Sequence, residues 1–136
     1  MGHAAIVQEL YAALRVRDAQ AVERLVRDHF DDEVVLHEPG SLAWGGDHAG
    51  SKRVTALFVG MATAPAGTSP IDPASMRVER TIADGDDVAA DVRFTVSLRG
   101  AAPMETGAVE WFRFRAGKVV DVRAVYFDTA ALVVGG

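Results

Sequence analysis

Two carboxylic acids stand among apolar neighbours. Glu38 follows Val34 and Leu36 at two-residue spacing, and Glu110 lies between Ala108 and Phe112 in the same way. Residues two apart on a strand share a face, so each acid belongs to the apolar side of its segment. Burial disfavours the charged form of a carboxyl group and raises its pKa. Two acids so placed supply a base and a neutral hydrogen-bond donor near pH 7, which is what moving a proton beside a carbonyl requires. The structural alternative has Glu38 reaching water at its strand end, and Glu110 paired with an arginine such as Arg113 or Arg123.

Other chemistries lack their residues. His37, Glu38 and His48 do not have the helical His-Glu-x-x-His spacing, and adjacent strand residues face opposite sides, so no metal is expected. His37 reads as a surface or interface residue. There is no Gly-x-Ser-x-Gly elbow for a nucleophile, and Gly45, Gly46 and Gly50 match no phosphate loop and read as turn residues. Tyr126 falls in the apolar phase of the last strand, so its hydroxyl needs a partner inside. Trp44 and His48 follow Glu38 in a loop and offer a pocket wall or lid. Tyr11, Trp44, His48, Phe58, Phe112 and Tyr126 are the expected contacts of a small hydrophobic molecule around Glu38 and Glu110, with no cofactor required.

The elements that must position these groups follow from periodicity. Ile6, Val7, Leu10, Ala13 and Leu14 mark one face of a helix over 3–17, and Asp18 caps a second helix whose inner face is Val22, Leu25, Val26 and Phe30. Residues 33–38 alternate as a strand, stopped by Pro39-Gly40; residues 41–50 read as a loop or short irregular hairpin. Ser51 caps a third helix with Val54, Leu57, Phe58 and Met61 inward, and 64–73 is a linker. Four strands follow over 75–83, 88–99, 105–114 and 119–128, joined by turns at 84–86, 100–103 and 116–117, so consecutive strands pair antiparallel. Val88, Ala90, Val92, Phe94, Val96 and Leu98 form one apolar face; Val120, Val122, Ala124 and Tyr126 form another. Between them, Val109 and Trp111 oppose Ala108, Phe112 and Phe114. That strand is apolar on both sides, as one covered by helices on one face and a second subunit on the other would be. Helices first and a meander after indicate an α+β fold with a curved sheet over the helices.

Composition narrows the partners. At one domain per roughly 150 residues, the 136 residues form one domain spanning 1–136. The 14 Lys and Arg against 19 Asp and Glu leave a net charge of -5 and no clustered basic surface for nucleic acid. The absence of cysteine excludes disulfides and thiolate chemistry. The uncharged run from Val54 to Ile71 contains Gly60, Pro65, Gly67 and Pro70, which bars it from spanning a bilayer. The start of the chain, Met1 to Glu9, lacks the basic and apolar regions of a signal peptide, so the expectation is a cytoplasmic protein.

The stretch from Asp31 to Gly46, with His37-Glu38-Pro39-Gly40 and Trp44-Gly45-Gly46, and the ending from Gly117 to Thr129 resemble the SnoaL-like branch of the nuclear transport factor two-like superfamily. Its members include ketosteroid isomerases, polyketide cyclases and limonene epoxide hydrolases. The resemblance implies a cystatin-like cone, with three N-terminal helices in the concavity of a strongly bent, mixed, mostly antiparallel sheet, and a homodimer packed through the sheets. It places Glu38-Pro39 at the catalytic base of ketosteroid isomerases and Glu110 at their protonated oxyanion-hole acid. The oxyanion-hole tyrosine aligns with Leu10, leaving Tyr11 one position along and facing elsewhere. Similarity to the epoxide hydrolases is closest at Tyr126-Phe127-Asp128, but Asp91 and Arg93 lie on a polar phase and Val125 stands for the second aspartate of their Asp-Arg-Asp set. A polyketide cyclase needs one acid in an apolar pocket, which Glu38 or Glu110 supplies. The expected function is isomerase- or cyclase-type acid/base chemistry on a hydrophobic carbonyl compound; the alternative is a non-catalytic ligand-binding or dimeric scaffold protein. A pocket of roughly 300 Å³ or more favours the first and a collapsed one the second.

Overall fold

The computed structural model describes residues 1–65, 67–97 and 102–133. Helices α1 (His3–Arg15), α2 (Ala19–His29) and α3 (Ser51–Thr63) lie on a six-stranded sheet of β1 (Phe30–Glu38), β2 (Gly46–Ala49), β3 (Arg77–Asp84), β4 (Asp87–Val96), β5 (Met104–Arg115) and β6 (Lys118–Tyr126). The strand order is β2-β1-β6-β5-β4-β3. Among the described residues only β1 and β6 pair in parallel; the other neighbours are antiparallel. This is the α+β arrangement anticipated from the order of elements and the cone that the resemblance implied.

Each helix forms for a local reason. The inner face of α1 buries Ile6, Val7, Leu10, Ala13 and Leu14 as its spacing requires, with Tyr11 added. Arg17 turns the chain in a left-handed conformation at φ 58°, and the Asp18 carboxylate accepts from the Ala21 N–H at 3.0 Å to start α2. The third helix departs from the expected cap. Gly50, at φ 95°, is its N-cap, and Ser51 is already its first helical residue. Glycine is suited to that left-handed position.

The sheet bends because its ladders slip. Register shifts fall between Phe30 and Val35, between Val78 and Arg80, and between Arg113 and Phe114, and an extra residue in one strand of a pair bends it and increases its twist. The last shift also corrects the phase expected for β6. Val119, paired with Phe114, takes the buried place, and Val120 is displaced from it to become half-buried. Val122 and Ala124 remain inside. The expected loop after β1 contains β2, which pairs with β1 from Val35↔Ala49 to Glu38↔Gly46. Leu98 and the start of the 100–103 turn lie outside the described residues.

The core between helices and sheet is continuous. Phe94, Phe112, Phe114, Leu10, Leu14 and Leu36 are its largest fully buried side chains. The convex face instead leaves Trp111, Val125 and Phe127 43%, 52% and 50% exposed. Among the described residues no helix is long and apolar enough to cross a membrane.

Candidate active site

Glu38 ends β1 on the face of Val34 and Leu36, while His37 points to the convex side and lies between Asp47 and Asp121, 2.7 Å from each. Burial opposes a charge on His37, but its hydrogen bonds to the two carboxylates prevail and raise its pKa. It takes no part in the cavity.

Glu110 is 8% exposed on β5. Across the ladders it faces Ala90 of β4 and Ala124 of β6. Directly opposed side chains on a sheet are close neighbours, so two alanines leave a hollow around its carboxyl group. The arginines offered by the sequence do not reach it: Arg113 pairs with Asp87 at 3.1 Å, and Arg123 is exposed.

Glu110 also lines a cavity of about 20 Å³ whose polar wall it forms with Glu38, Tyr11 and Tyr126. Phe58, Phe94, Leu57 and Met61 contribute to its apolar wall. That volume holds about one water, so the cavity is closed rather than an open ligand pocket. Tyr11 does not face elsewhere, as its alignment implied. Being next to Leu10 on a helix turns it by about 100°, and this carries its ring to the cavity wall, at 3% exposure.

The two acids have different surroundings. The Tyr126 hydroxyl donates to Glu38 Oε2 at 2.8 Å and accepts from Trp44 Nε1 at 3.1 Å. Burial raises the Glu38 pKa to about 7, against hydrogen bonds from Tyr126 and Trp44 that favour the charged form. Glu110 has no such donors among the described residues. Burial, reinforced by the charge of Glu38, holds its pKa well above the carboxylate range. Burial and the negative charges of Glu110 and Glu38 also push up both phenols, Tyr11 and Tyr126. Near neutral pH Glu38 stands at the midpoint between carboxylate and acid, while Glu110 and the two phenols keep their protons.

Of the sequence candidates, Glu38, Glu110, Tyr11, Phe58 and Tyr126 meet at this cavity. Trp44 acts on it through Tyr126. His48 is buried behind, its Nε2 donating to the Trp44 carbonyl at 2.8 Å, and so positions the loop. Phe112 is a core residue packed edge-on to Tyr11 and Phe30. Ile71 and Met76 also line the cavity and were not singled out by the sequence. Ile71 fell in the apparent linker 64–73 and Met76 at the start of the expected strand 75–83, each as an ordinary apolar residue. Asp91 and Arg93, 2.7 Å apart, and exposed Val125 are absent from the cavity wall, so no Asp-Arg-Asp set forms there.

A conical α+β domain with ionisable groups in its closed interior defines the class. The chain belongs to the SnoaL-like domain family, whose profile matches residues 7–122. Among solved structures it is similar to Bal32a from a soil-derived mobile gene cassette, at 25% identity, TM-score 0.72, and coverage of 96% of this chain and 92% of that one. It is also similar to a protein with cystatin-like fold from Xanthomonas campestris, at 22% identity, TM-score 0.70 and 98% coverage of both chains. An NTF2-like protein from Burkholderia pseudomallei shares 19% identity, with TM-score 0.71 and 97% coverage of both chains. No curated protein matches the chain.

Proposed function

We propose that this protein catalyses proton transfer on a small hydrophobic carbonyl compound, in an isomerase- or cyclase-type reaction. Glu38 is the base. It takes a proton from the carbon beside the carbonyl, while protonated Glu110 and the Tyr11 phenol donate hydrogen bonds to the carbonyl oxygen as negative charge develops there. Returning the proton from Glu38 to a second carbon completes an isomerisation. The observation that carries this reading is the asymmetry of the acids: Tyr126 and Trp44 support a charge on Glu38, and among the described residues nothing comparable supports one on Glu110. Membership of the SnoaL-like family agrees with it.

The test is deuterium exchange at the α-carbon of cyclic ketones in D2O. Exchange above the buffer rate that is lost in Glu38→Gln supports the assignment, and equal exchange by both proteins removes it. A second reading, a non-catalytic scaffold, is favoured by the closed cavity of about 20 Å³. Absence of both ketone binding and exchange would select it. Under either reading the convex face is a site for a second copy of this chain, supported by the exposure of Trp111, Val125 and Phe127.

A further inference from the structure

We infer that Met76 is a plug between the acidic cavity and an outer cleft, and that the two form one elongated site whose outer half takes the anionic tail of a ligand with an apolar, carbonyl-bearing head. The inner half rests on the acid/base reading; the outer half does not.

The cleft lies between α1 and the edge strand β3, has a volume of about 300 Å³, and shares two wall residues, Tyr11 and Met76, with the cavity. Met76 is 3% exposed, and its unbranched side chain has three rotatable bonds. The backbone before it is held: the Ser75 hydroxyl accepts from the Thr95 N–H at 2.8 Å, and the Met76 N–H donates to the Pro73 carbonyl at 3.0 Å. Opening therefore requires a rotamer change and no strand movement. The competing exit is Ile71, which separates the cavity from another surface cleft of about 320 Å³. Ile71 is β-branched and stiff, and it is pinned by its bridge to Val96 and by the neighbouring Asp72 N–H, which donates to Thr95 O at 3.1 Å.

Charge sets the direction of the ligand. The cavity wall carries two acids and no basic group, so an anionic head is excluded. The α1–β3 cleft carries Arg15 and Arg77 and no acid. Arg77 is already tied to Glu79 and Glu105. Arg15 is exposed and, among the described residues, enters no ion pair. A carboxylate leaving the cavity past Met76 would meet Arg15.

The probes are an alkyl-substituted cyclohexanone and the same ketone ending in a carboxylate, with binding followed by calorimetry and stopped-flow tryptophan fluorescence. The carboxylate form should bind the unmodified protein about two- to fivefold more tightly at low salt, as one exposed charge pair allows. Arg15→Gln should bring that ratio close to one. Met76→Leu, similar in volume but stiffer, should slow association of both ketones, and Met76→Ala should speed it. Equal affinity of the unmodified protein for the two ketones overturns the inference. So does a ratio unaltered by Arg15→Gln, or association rates that ignore both Met76 variants. Met76→Leu keeps the test open if Met76→Ala fails to fold. A ketone that binds as described without α-proton exchange removes the acid/base reading and leaves the two-part site. Exchange indifferent to Met76 and Arg15 does the reverse.

Discussion

Replacing Glu38 by Gln should make the protein more stable at alkaline pH and leave it nearly unchanged in acid. Glu38 moves from an ordinary 4.5 to about 7 on folding, chiefly because it is buried. Its folded pKa lies above its unfolded value, so the native state holds the proton more tightly, and stability falls as pH rises through this window. Below about pH 4.5 both states are protonated and there is no penalty; above about pH 7 it is complete. At about 1.4 kcal/mol per tenfold, the rise from 4.5 to about 7 corresponds to about 3 kcal/mol. Glutamine retains the shape and accepts the Tyr126 hydroxyl without titrating. Urea unfolding of both proteins between about pH 4 and pH 9 should give curves that converge in acid and separate by about 3 kcal/mol in base, with Glu38→Gln the more stable. Glu110 is raised in both, but in Glu38→Gln it is freed of the Glu38 charge, which adds to the separation in base in the same direction. A constant difference across the window would refute the desolvated Glu38 on which the site depends.

Tyr126→Phe removes the donor that favours charged Glu38, so the pH at which exchange activity appears should rise, as read from its pH–rate profile. Gly45→Ala should displace the Trp44 loop, because a β-carbon there would stand 2.2 Å from the Pro39 carbonyl oxygen and 2.8 Å from that of Leu42; the Trp44–Tyr126 hydrogen bond is lost and tryptophan fluorescence changes. Ala124→Leu should fill the hollow opposite Glu110 and abolish ketone binding, at about 1–3 kcal/mol of stability measured in urea. Trp111→Asp on the convex face should convert the proposed dimer to a monomer in analytical ultracentrifugation.

Alternation was enough to place both acids on the inner face, because strand phase depends only on neighbours within the strand. The same logic failed at Val119 and Val120, where the shift between Arg113 and Phe114 slides one strand against another and leaves no local mark. Tyr11 was named among the pocket contacts, although the alignment put Leu10 in the tyrosine's place and turned Tyr11 away; the orientation of α1 relative to the sheet decides between them. Ala90 and Ala124 carry no chemical signal at all. Their importance is that they oppose Glu110 across two ladders, a relation between distant segments. Ile71 and Met76 were hidden for a similar reason, since a strap that crosses a cavity looks in sequence like an ordinary linker running into a strand.

The small cavity and the two acids point in opposite directions, and their energetic consequences favour the proposed chemistry. A scaffold gains nothing from a glutamate in an apolar interior. Leucine at position 38 or 110 would remove a buried polar group and add apolar contact, and replacing buried charged groups by well-packed apolar ones is often neutral or stabilising. Here the cost at Glu38 reaches about 3 kcal/mol at neutral pH, a sizeable part of the 5–15 kcal/mol that holds an ordinary domain together. The surrounding residues do not minimise it by neutralising the pair. Tyr126 and Trp44 spend their donors on keeping Glu38 close to ionisation, while Ala90 and Ala124 hold back the packing that would close over Glu110. Such an arrangement sacrifices stability to keep a base beside an acid, the pairing that the proposed proton transfer requires.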